Sequence, residues 1–520
     1  MMKSTAFWFA CFITAHNGKI SKPNESKILI FMAVPRLLLH LVYPTSSSLL
    51  LANCKPSPLP VLNIGCRRIS TAAAQRAPPS EAAVDDFWRW VCERGVVAAS
   101  SAATVKPGFV PEGLGLVAQR DLPRNEVVVE VPKRLWIDSD TAVASEIGRL
   151  CAGLKPWVSI ALFLLRERAL GTASPWHPYL DILPPTTNST IFWSEEELSE
   201  IEGTQLLNTT MGAKEYVESE FVKAEAEVIL PNKHLFPSAI TLLDFLWAFG
   251  ILRSRAFSRG RGENLALVPL ADLINHSSSI TQEDSCWEIK GKGIFSRELI
   301  FSLRTPVYVK SGEQVHIHYN IAKSNADLAL DYGFVEQRPD RDAYTFTLEI
   351  SESDPFYGDK LDIAESNGLD ETAYFDIALG CPLPPLMLPY LRLVALGGTD
   401  AFLLESVFRN TIWGHLELPV SRANEEAICR VVRQACKSAL SAYHTTVEED
   451  EKLMEGDNLD ERLRIAVCIR AGEKKVLQQI DDAFRERESE LDVLEYYQER
   501  RLKDLGLVGE QGEIIFWESK

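Results

Sequence analysis

The spacing of apolar positions changes along the chain and divides it into regions. GLGLVA and EVVVEV lie on either side of the turn-forming run DLPRN, and their β-branched residues predict two strands. From about residue 139 to 252 the spacing is helical, and TLLDFLWAFGILRSR is apolar on all sides, which predicts a buried helix. NLALVPLADL, LIFSLRT and QVHIHY predict strands again between residues 264 and 319. A strand-rich domain with a helical insertion follows from this order.

Helix-start signals support these limits. A Ser or Thr followed three residues later by an acid, as in a capping box, occurs at Ser194 with Glu197, Thr241 with Asp244 and Ser324 with Asp327. After SESDPFYGD, helical spacing continues from about 360 to 508 and predicts a separate all-α domain. The predicted fold class is therefore α+β, with a first domain over 85–340, an insertion over about 139–252, and an α-helical domain over 355–508.

The first 80 residues have a different composition. No Asp or Glu occurs from residue 26 to 80, while Lys and Arg are scattered among Ser, Thr, Ala and Pro. This composition is typical of an organelle transit peptide, and a disordered tail without an address is the alternative. ILIFMAVPRLLLHLVY is only 16 residues long and contains Pro, Arg and His. Because a span needs about 20 apolar residues, no membrane span is predicted.

Charge and cysteine content exclude several classes of protein. A net charge of −18 argues against nucleic-acid binding, which needs clustered cations, and favours a folded protein or small molecule as partner. The ten cysteines form no CxxC pair, so neither a zinc ribbon nor a disulfide framework is predicted. His316 and His318 alternate in a predicted strand, which allows two metal ligands or an exposed strand face. We expect no metal.

PLADLINHSS is the segment that most needs a functional explanation. Asn275 and His276 end an apolar run, and buried amides or imidazoles cost free energy unless they are hydrogen-bonded. Hydrolase elbows, phosphate-binding loops and HExxH are all missing from the sequence. Gly113, Gly115 and Ala118 match G-x-G-x-x-A, but a proline-containing run precedes them and a turn follows. A dinucleotide site needs a strand before and a helix after, so that interpretation is rejected.

The remaining motifs resemble the SET domain of protein-lysine methyltransferases. The resemblance lies in EGLGLVA, NEVVVEVP, PLADLINHSS and HYNIAKSNADLALDYGF. RSRAFS, KSNADLALDYGF and the helical C-terminal region are similar to the plastid enzymes that methylate the Rubisco large subunit and fructose-bisphosphate aldolase. The resemblance runs from about Phe87 to Leu507. It implies a SET-domain β-fold with a helical insertion, an α-helical substrate-binding domain, and S-adenosylmethionine as methyl donor without a metal.

The same resemblance implies roles for individual residues. Cofactor binding falls to Glu112, Gly113, Leu114, Arg255, Asn275, His276 and Tyr319. The catalytic residues are Tyr319 and Tyr332. The substrate lysine is contacted by Arg255, Arg259, Asp272, Trp287 and Tyr332. Alternatives remain open: Asp272 as a backbone-bonding residue, Arg259 as a surface charge, and the two tyrosines as ordinary core.

One departure from the family pattern bears on the substrate. Members active on Rubisco carry His-Ala-Tyr where this chain has Ser285, Cys286 and Trp287. The phenol hydroxyl and a chargeable imidazole are both lost, which favours aldolase over the Rubisco large subunit. The chloroplast stroma is the expected location. A SET-fold protein that binds a plastid partner without turnover is the alternative function.

Overall fold

The computed structural model describes residues 79–96, 104–259, 264–280, 286–291, 298–456, 459–508 and 514, together with the backbone of residues 29–32. Only the backbone is described for residues 259 and 264. Two compact units result: Met1–Leu37, Asn188–Ala213 and Ala322–Lys520 form the first, and Leu38–Thr187 and Lys214–Ile321 the second. Ser285 and most of the predicted transit segment lie outside the described residues.

The strands are β1 Leu29–Met32, β2 Val105–Val110, β3 Gly113–Ala118, β4 Val127–Pro132, β5 Ile137–Asp138, β6 Phe257–Arg259, β7 Asn264–Leu267, β8 Asn275–His276, β9 Trp287–Gly291, β10 Leu299–Arg304, β11 Gln314–Ile317, β12 Ala343–Glu349 and β13 Thr372–Ala378. The helices are α1 Glu81–Glu93, α2 Ser139–Ala144, α3 Pro156–Leu170, α4 His177–Ile182, α5 Glu195–Ser199, α6 Gln205–Ala224, α7 Leu242–Arg255, α8 Asn325–Asp331, α9 Tyr357–Ser366, α10 Met387–Ala395, α11 Ile412–Leu416, α12 Arg422–Leu440, α13 Val447–Met454, α14 Glu461–Ser489 and α15 Tyr497–Asp504.

Three small sheets form the strand-rich part of the second unit. Their strand orders are β2-β3-β11-β8, β4-β10-β9 and β5-β7-β6. The pairing of β8 with β11 is parallel and places Asn275 opposite His316 and His276 opposite Ile317. Gly113–Ala118 form a strand and not a turn into a helix, which confirms that the glycine pattern is not a dinucleotide site.

One strand prediction in this region holds only for its first four residues. NLALVPLADL leaves the extended conformation at Leu267, and Ala271–Leu273 form a 3₁₀ turn before β8. Leu270, directly before this turn, is buried and has a φ of 75°. A branched side chain in the left-handed region is strained, so the surrounding structure must hold it there.

The predicted insertion is helical, as expected. In the second unit, α3 and α7 pack through Trp157, whose ring lies 5.3 Å from Phe245 and 5.2 Å from Phe249. Thr241 and Asp244 form the capping box that begins α7, and Arg253 and Arg255 lie in its last turn. Residues 188–213, although within the predicted insertion, belong to the first unit.

The first unit is mostly helical but is not all-α. Strand β13 pairs with β12 along its full length, and Ala373, Phe375 and Ile377 alternate into the core. That period of two is the signal of a half-buried strand, and the expectation of an all-α domain over 355–508 is wrong at this point. The remaining core of the unit comes largely from α10, α12 and α14.

Strand β1 pairs antiparallel with β12, with Leu29 opposite Glu349 and Met32 opposite Phe346. These four residues lie within the first 80, for which the sequence predicts a transit peptide. Within the described ranges, no single helix has both the length and the apolar character to cross a membrane, and α10 with Gly398–Leu404 meets the criteria only as a pair bent by 116°.

Candidate active site

The amide of Asn275 is held by two strands of its own sheet. Its Nδ2 donates 3.1 Å to the carbonyl oxygen of Leu114 on β3 and 2.6 Å to Oε1 of Gln314 on β11. Gln314 in turn donates from Nε2 to Glu112 over 3.1 Å. These hydrogen bonds form one connected network. The Asn275 amide therefore has its partners within the fold, and the network also holds Glu112 beside it.

Two glycines of strand β3 have opposite surroundings. A Cβ added at Gly115 would fall within contact distance of Gln314 Oε1 and 3.0 Å from Asn275 Nδ2, so it would displace the Gln314 side chain. At Gly113, where φ is 113°, an added Cβ would meet no atom within 4 Å. The backbone at Gly113 is therefore open on one side, as a ligand-binding backbone must be.

His276 on strand β8 contacts Tyr319, which follows the end of strand β11. Its Nδ1 accepts a hydrogen bond from the Tyr319 amide over 3.2 Å. Its ring lies edge-on to His318, with 4.6 Å between centroids, and 5.3 Å from the ring of Tyr319. The imidazole of His276 therefore orients the backbone at Tyr319 and not only its own loop.

The hydroxyl of Tyr319 is buried and is held in one direction by a hydrogen bond. It donates over 3.0 Å to the carbonyl oxygen of Ile274, at the start of β8. Burial raises the pKa of Tyr319 to about 12, against the opposing effect of Arg255 and with a further contribution from Asp272. The phenol therefore stays protonated at neutral pH, and its oxygen keeps acceptor capacity after donating its hydrogen.

Arg255, Asp272 and Tyr179 form a buried group beside this tyrosine. Arg255 Nη1 donates over 3.0 Å to the main-chain oxygen of Asp272 and lies 3.8 Å from its Oδ2. The hydroxyl of Tyr179 donates to the same Oδ2 over 2.7 Å. Burial raises the pKa of Asp272 to about 6, while Arg255 and Tyr179 act in the opposite direction.

The other predicted substrate residues are placed separately. Trp287 on β9 stacks on Phe301 at 5.3 Å and contacts the edge of Phe257 at 5.6 Å, so an aromatic wall is present. The side chain of Arg259 lies outside the described residues. Tyr332 belongs to the first unit, where it is the C-cap of α8 and its ring lies 5.9 Å from Phe334.

The capping box of Ser324 and Asp327 begins α8 as predicted. Gly333, with a φ of 79°, follows Tyr332 and ends the helix as predicted. This local geometry fixes the position of Tyr332 at the helix end.

Sequence reasoning missed two residues of the site, Gln314 and Tyr179. Gln314 had a weak signal, since it begins the strand QVHIHY that leads to Tyr319. Tyr179 had none, because it lies 93 positions before Asp272 in a helix of the insertion. A contact of that sequence separation is set by packing and leaves no local motif.

Comparison with known proteins places this geometry in a class. Residues 113–320 match the SET domain, and residues 351–477 match the domain described as Rubisco LSMT substrate-binding. The chain resembles the solved SET domain of LSMT bound to lysine and AdoHcy with a TM-score of 0.78 and 64% identity, over 84% of this chain and 98% of that one. For Rubisco LSMT bound to AdoMet the TM-score is 0.76 and the identity 62%, over 83% and 98% of the two chains. Residues 113–320 thus carry the SET domain.

Two chloroplastic enzymes are close in sequence. The fructose-bisphosphate aldolase lysine N-methyltransferase of Arabidopsis thaliana is 68% identical over 437 residues, covering 84% of this chain and 90% of that protein. The ribulose-1,5-bisphosphate carboxylase/oxygenase large subunit N-methyltransferase of Nicotiana tabacum is 68% identical over 438 residues, covering 84% and 89%. The chain belongs to the family of plastid SET-domain protein-lysine methyltransferases. Members of this family take their methyl group from S-adenosylmethionine, and this chain is one of these enzymes.

Proposed function

We propose that this enzyme methylates lysine side chains of fructose-bisphosphate aldolase in the chloroplast stroma, with the Rubisco large subunit as a second candidate substrate. The observation that carries the catalytic part is the Tyr319 hydroxyl, which is buried, protonated and bonded to Ile274. S-adenosylmethionine, when bound, supplies a methyl group on a positively charged sulfur. The residues of the chain then have to position that group, exclude water and receive an uncharged lysine amine.

The open backbone at Gly113 and the hydrogen bonds of Asn275 support cofactor binding at this place. Gly113 leaves one side of the chain open, and the Leu114 carbonyl is fixed by Asn275. Arg255 offers a guanidinium, the group best suited to a carboxylate. We assign cofactor binding to the following set: Glu112, Gly113, Leu114, Arg255, Asn275, His276 and Tyr319.

Tyr319 acts on the methyl group through its oxygen. Its hydroxyl donates to Ile274, and a phenol oxygen is also an acceptor that can make C–H···O contacts with a methyl group, each worth about 0.5–1 kcal/mol. With its pKa raised to about 12, Tyr319 is a poor base near neutral pH. The lysine must therefore lose its proton through desolvation in the channel, which lowers the pKa of an amine.

We assign contacts with the substrate lysine to Arg255, Arg259, Asp272, Trp287 and Tyr332. Trp287 is held flat against Phe301, so it can wall an apolar channel without offering a phenol hydroxyl. For Tyr332 the family resemblance carries the assignment, and an aromatic ring suits a methylated ammonium. The residue at 287, with Ser285 and Cys286, supports aldolase over the Rubisco large subunit.

Targeting and domain roles complete the proposal. The acid-free composition of residues 26–80 supports residues 1–80 as a transit peptide, and the similar enzymes are chloroplastic. Residues 85–340 would carry the catalytic SET domain and residues 355–508 the substrate-binding domain. The net charge of −18 suits a folded protein substrate better than a nucleic acid.

Tyr319→Phe tests the catalytic role. The variant keeps the ring but loses the hydroxyl, so we expect kcat to fall about 10- to 100-fold while the Kd for S-adenosylmethionine changes little. Single-turnover kinetics and calorimetric titration measure the two quantities. Tyr308→Phe is the matched control, because the exposed Tyr308 donates to Asp121 and not to a site residue. A collapse of cofactor affinity with normal kcat would contradict the role.

A further inference from the structure

Tyr179 is a buried tyrosine whose hydroxyl makes one hydrogen bond within the described residues. It lies on α4, is 0% exposed, and packs its ring 6.1 Å from that of Phe87. Its hydroxyl has one hydrogen-bond partner among the described residues, Oδ2 of Asp272 at 2.7 Å. A buried hydroxyl costs free energy unless it is bonded, so a phenylalanine would pack here more cheaply if the bond had no use.

The carboxylate that receives this bond is only half satisfied. The Asp272 side chain is fully buried, and its Oδ1 makes no hydrogen bond within the described part of the chain. Arg255 donates to the main-chain oxygen of Asp272 and stays 3.8 Å from Oδ2. A buried carboxylate with one oxygen held and the other unused is arranged to accept one more donor.

The titratable groups that act on Asp272 come from three elements. They are Tyr179 of α4, Arg255 at the end of α7, and Tyr319 just after β11. Burial opposes the charged form, while the cation and the Tyr179 hydroxyl favour it. Without the hydroxyl, the balance moves toward a neutral acid that competes poorly as an acceptor.

We propose that Tyr179 is a positioning residue for methyl transfer. Its hydrogen bond to Oδ2 holds the charged carboxylate of Asp272 in one orientation, in which Oδ1 accepts an N–H of the bound lysine substrate. This inference rests on the proposed function, because it takes Asp272 to face the substrate. Tyr179 contacts neither substrate nor methyl group and acts only through Asp272.

The test is a pH profile in a double-mutant cycle of Tyr179→Phe and Asp272→Asn. Loss of a hydrogen bond to a charged acceptor should move the acidic limb of kcat/KM up by about one pH unit. Since the pKa of Asp272 is about 6, Tyr179→Phe should lose about fivefold more activity at pH 6 than at pH 8.5. In the Asp272→Asn background this pH-dependent part should vanish. Tyr216→Phe, a tyrosine of the same unit bonded to Lys155 and Trp157, is the control.

A second readout needs no substrate. The hydrogen bond favours ionised Asp272, so its contribution to folding is present above about pH 6 and is lost as the pH falls below that value. The difference in Tm between wild type and Tyr179→Phe should therefore be larger at pH 8 than at pH 5, and this change should disappear in Asp272→Asn. If it appears while the kinetic shift does not, Asp272 is clamped but does not serve the substrate, and the positioning role is overturned. Equal losses at every pH, or in both backgrounds, would show Tyr179 to be structural only. Failure of wild type to methylate aldolase would instead count against the proposed substrate.

Discussion

At the scale of single residues, the site depends on close approaches that a motif alone does not explain. Asn275 bonds Leu114 and Gln314, and Gly115 leaves the space in which these groups meet. The sequence identified Asn275 and the glycines, because both lie in recognisable motifs. It did not predict Gln314 or Tyr179, whose partners are set by packing over long sequence separations.

Gly115→Ala tests whether the hydrogen bonds of Asn275 and Gln314 hold the proposed cofactor-binding residues 112–114 in place. The added Cβ would displace Gln314 and press on Asn275, which breaks the bonds that fix Leu114 and Glu112. We expect the Kd for S-adenosylmethionine to rise about tenfold, a free-energy cost of about 1.4 kcal/mol. Gly291→Ala, where an added Cβ meets nothing within 4 Å, should leave the Kd unchanged. Equal Kd values for both variants in calorimetric titration would contradict the close-approach argument.

At the scale of elements, capping signals predicted helix starts well, and tertiary pairing was predicted less well. The boxes at Ser194, Thr241 and Ser324 all form, because each depends on residues only three positions apart. Strand β13 was missed although its apolar residues alternate, since it is one strand inside a long helical region. The 3₁₀ turn before β8 was missed because Leu270 adopts a backbone conformation that its residue type does not predict.

A buried carboxyl joins helices of the first unit. Glu473 of α14 accepts hydrogen bonds from the amide of Gln205, at the start of α6, and from the hydroxyl of Tyr443. Those bonds favour the charged form, but burial outweighs them and raises the pKa of Glu473 from 4.5 to about 7. The folded state thus holds this proton more tightly than the unfolded chain does.

Glu473→Gln tests the consequence for stability. Since the folded pKa is raised, the contribution of neutral Glu473 is complete below about pH 4.5 and is lost as the pH rises through 7. The amide cannot ionise, so the variant should gain about 2–3 kcal/mol relative to wild type between pH 5 and pH 8 in denaturant unfolding. Glu486→Gln, at an exposed position of the same helix, should show no such gain. A stability difference that is equal at both pH values would refute the raised pKa.

At the scale of the whole molecule, sequence reasoning reached the family and the chemistry before it reached the geometry. The motifs near Gly113, Asn275 and Tyr319 are far apart in the chain, and their common family carried the assignment. Composition argued against nucleic acid and predicted an organelle transit peptide, because charge distribution is readable without a fold. The substrate depends on surfaces and side chains such as Trp287 that motifs do not determine.

Methyl transfer to defined proteins is the most direct test of the central claim. Mature enzyme with labelled S-adenosylmethionine would be incubated with aldolase and with the Rubisco large subunit, both made in bacteria so that their lysines carry no methyl group. The proposed function predicts a labelled aldolase lysine, located by mass spectrometry, with less label on the Rubisco subunit than on aldolase, and loss of label with Tyr319→Phe. Absence of label on both proteins, or label on the Rubisco subunit alone, would contradict it.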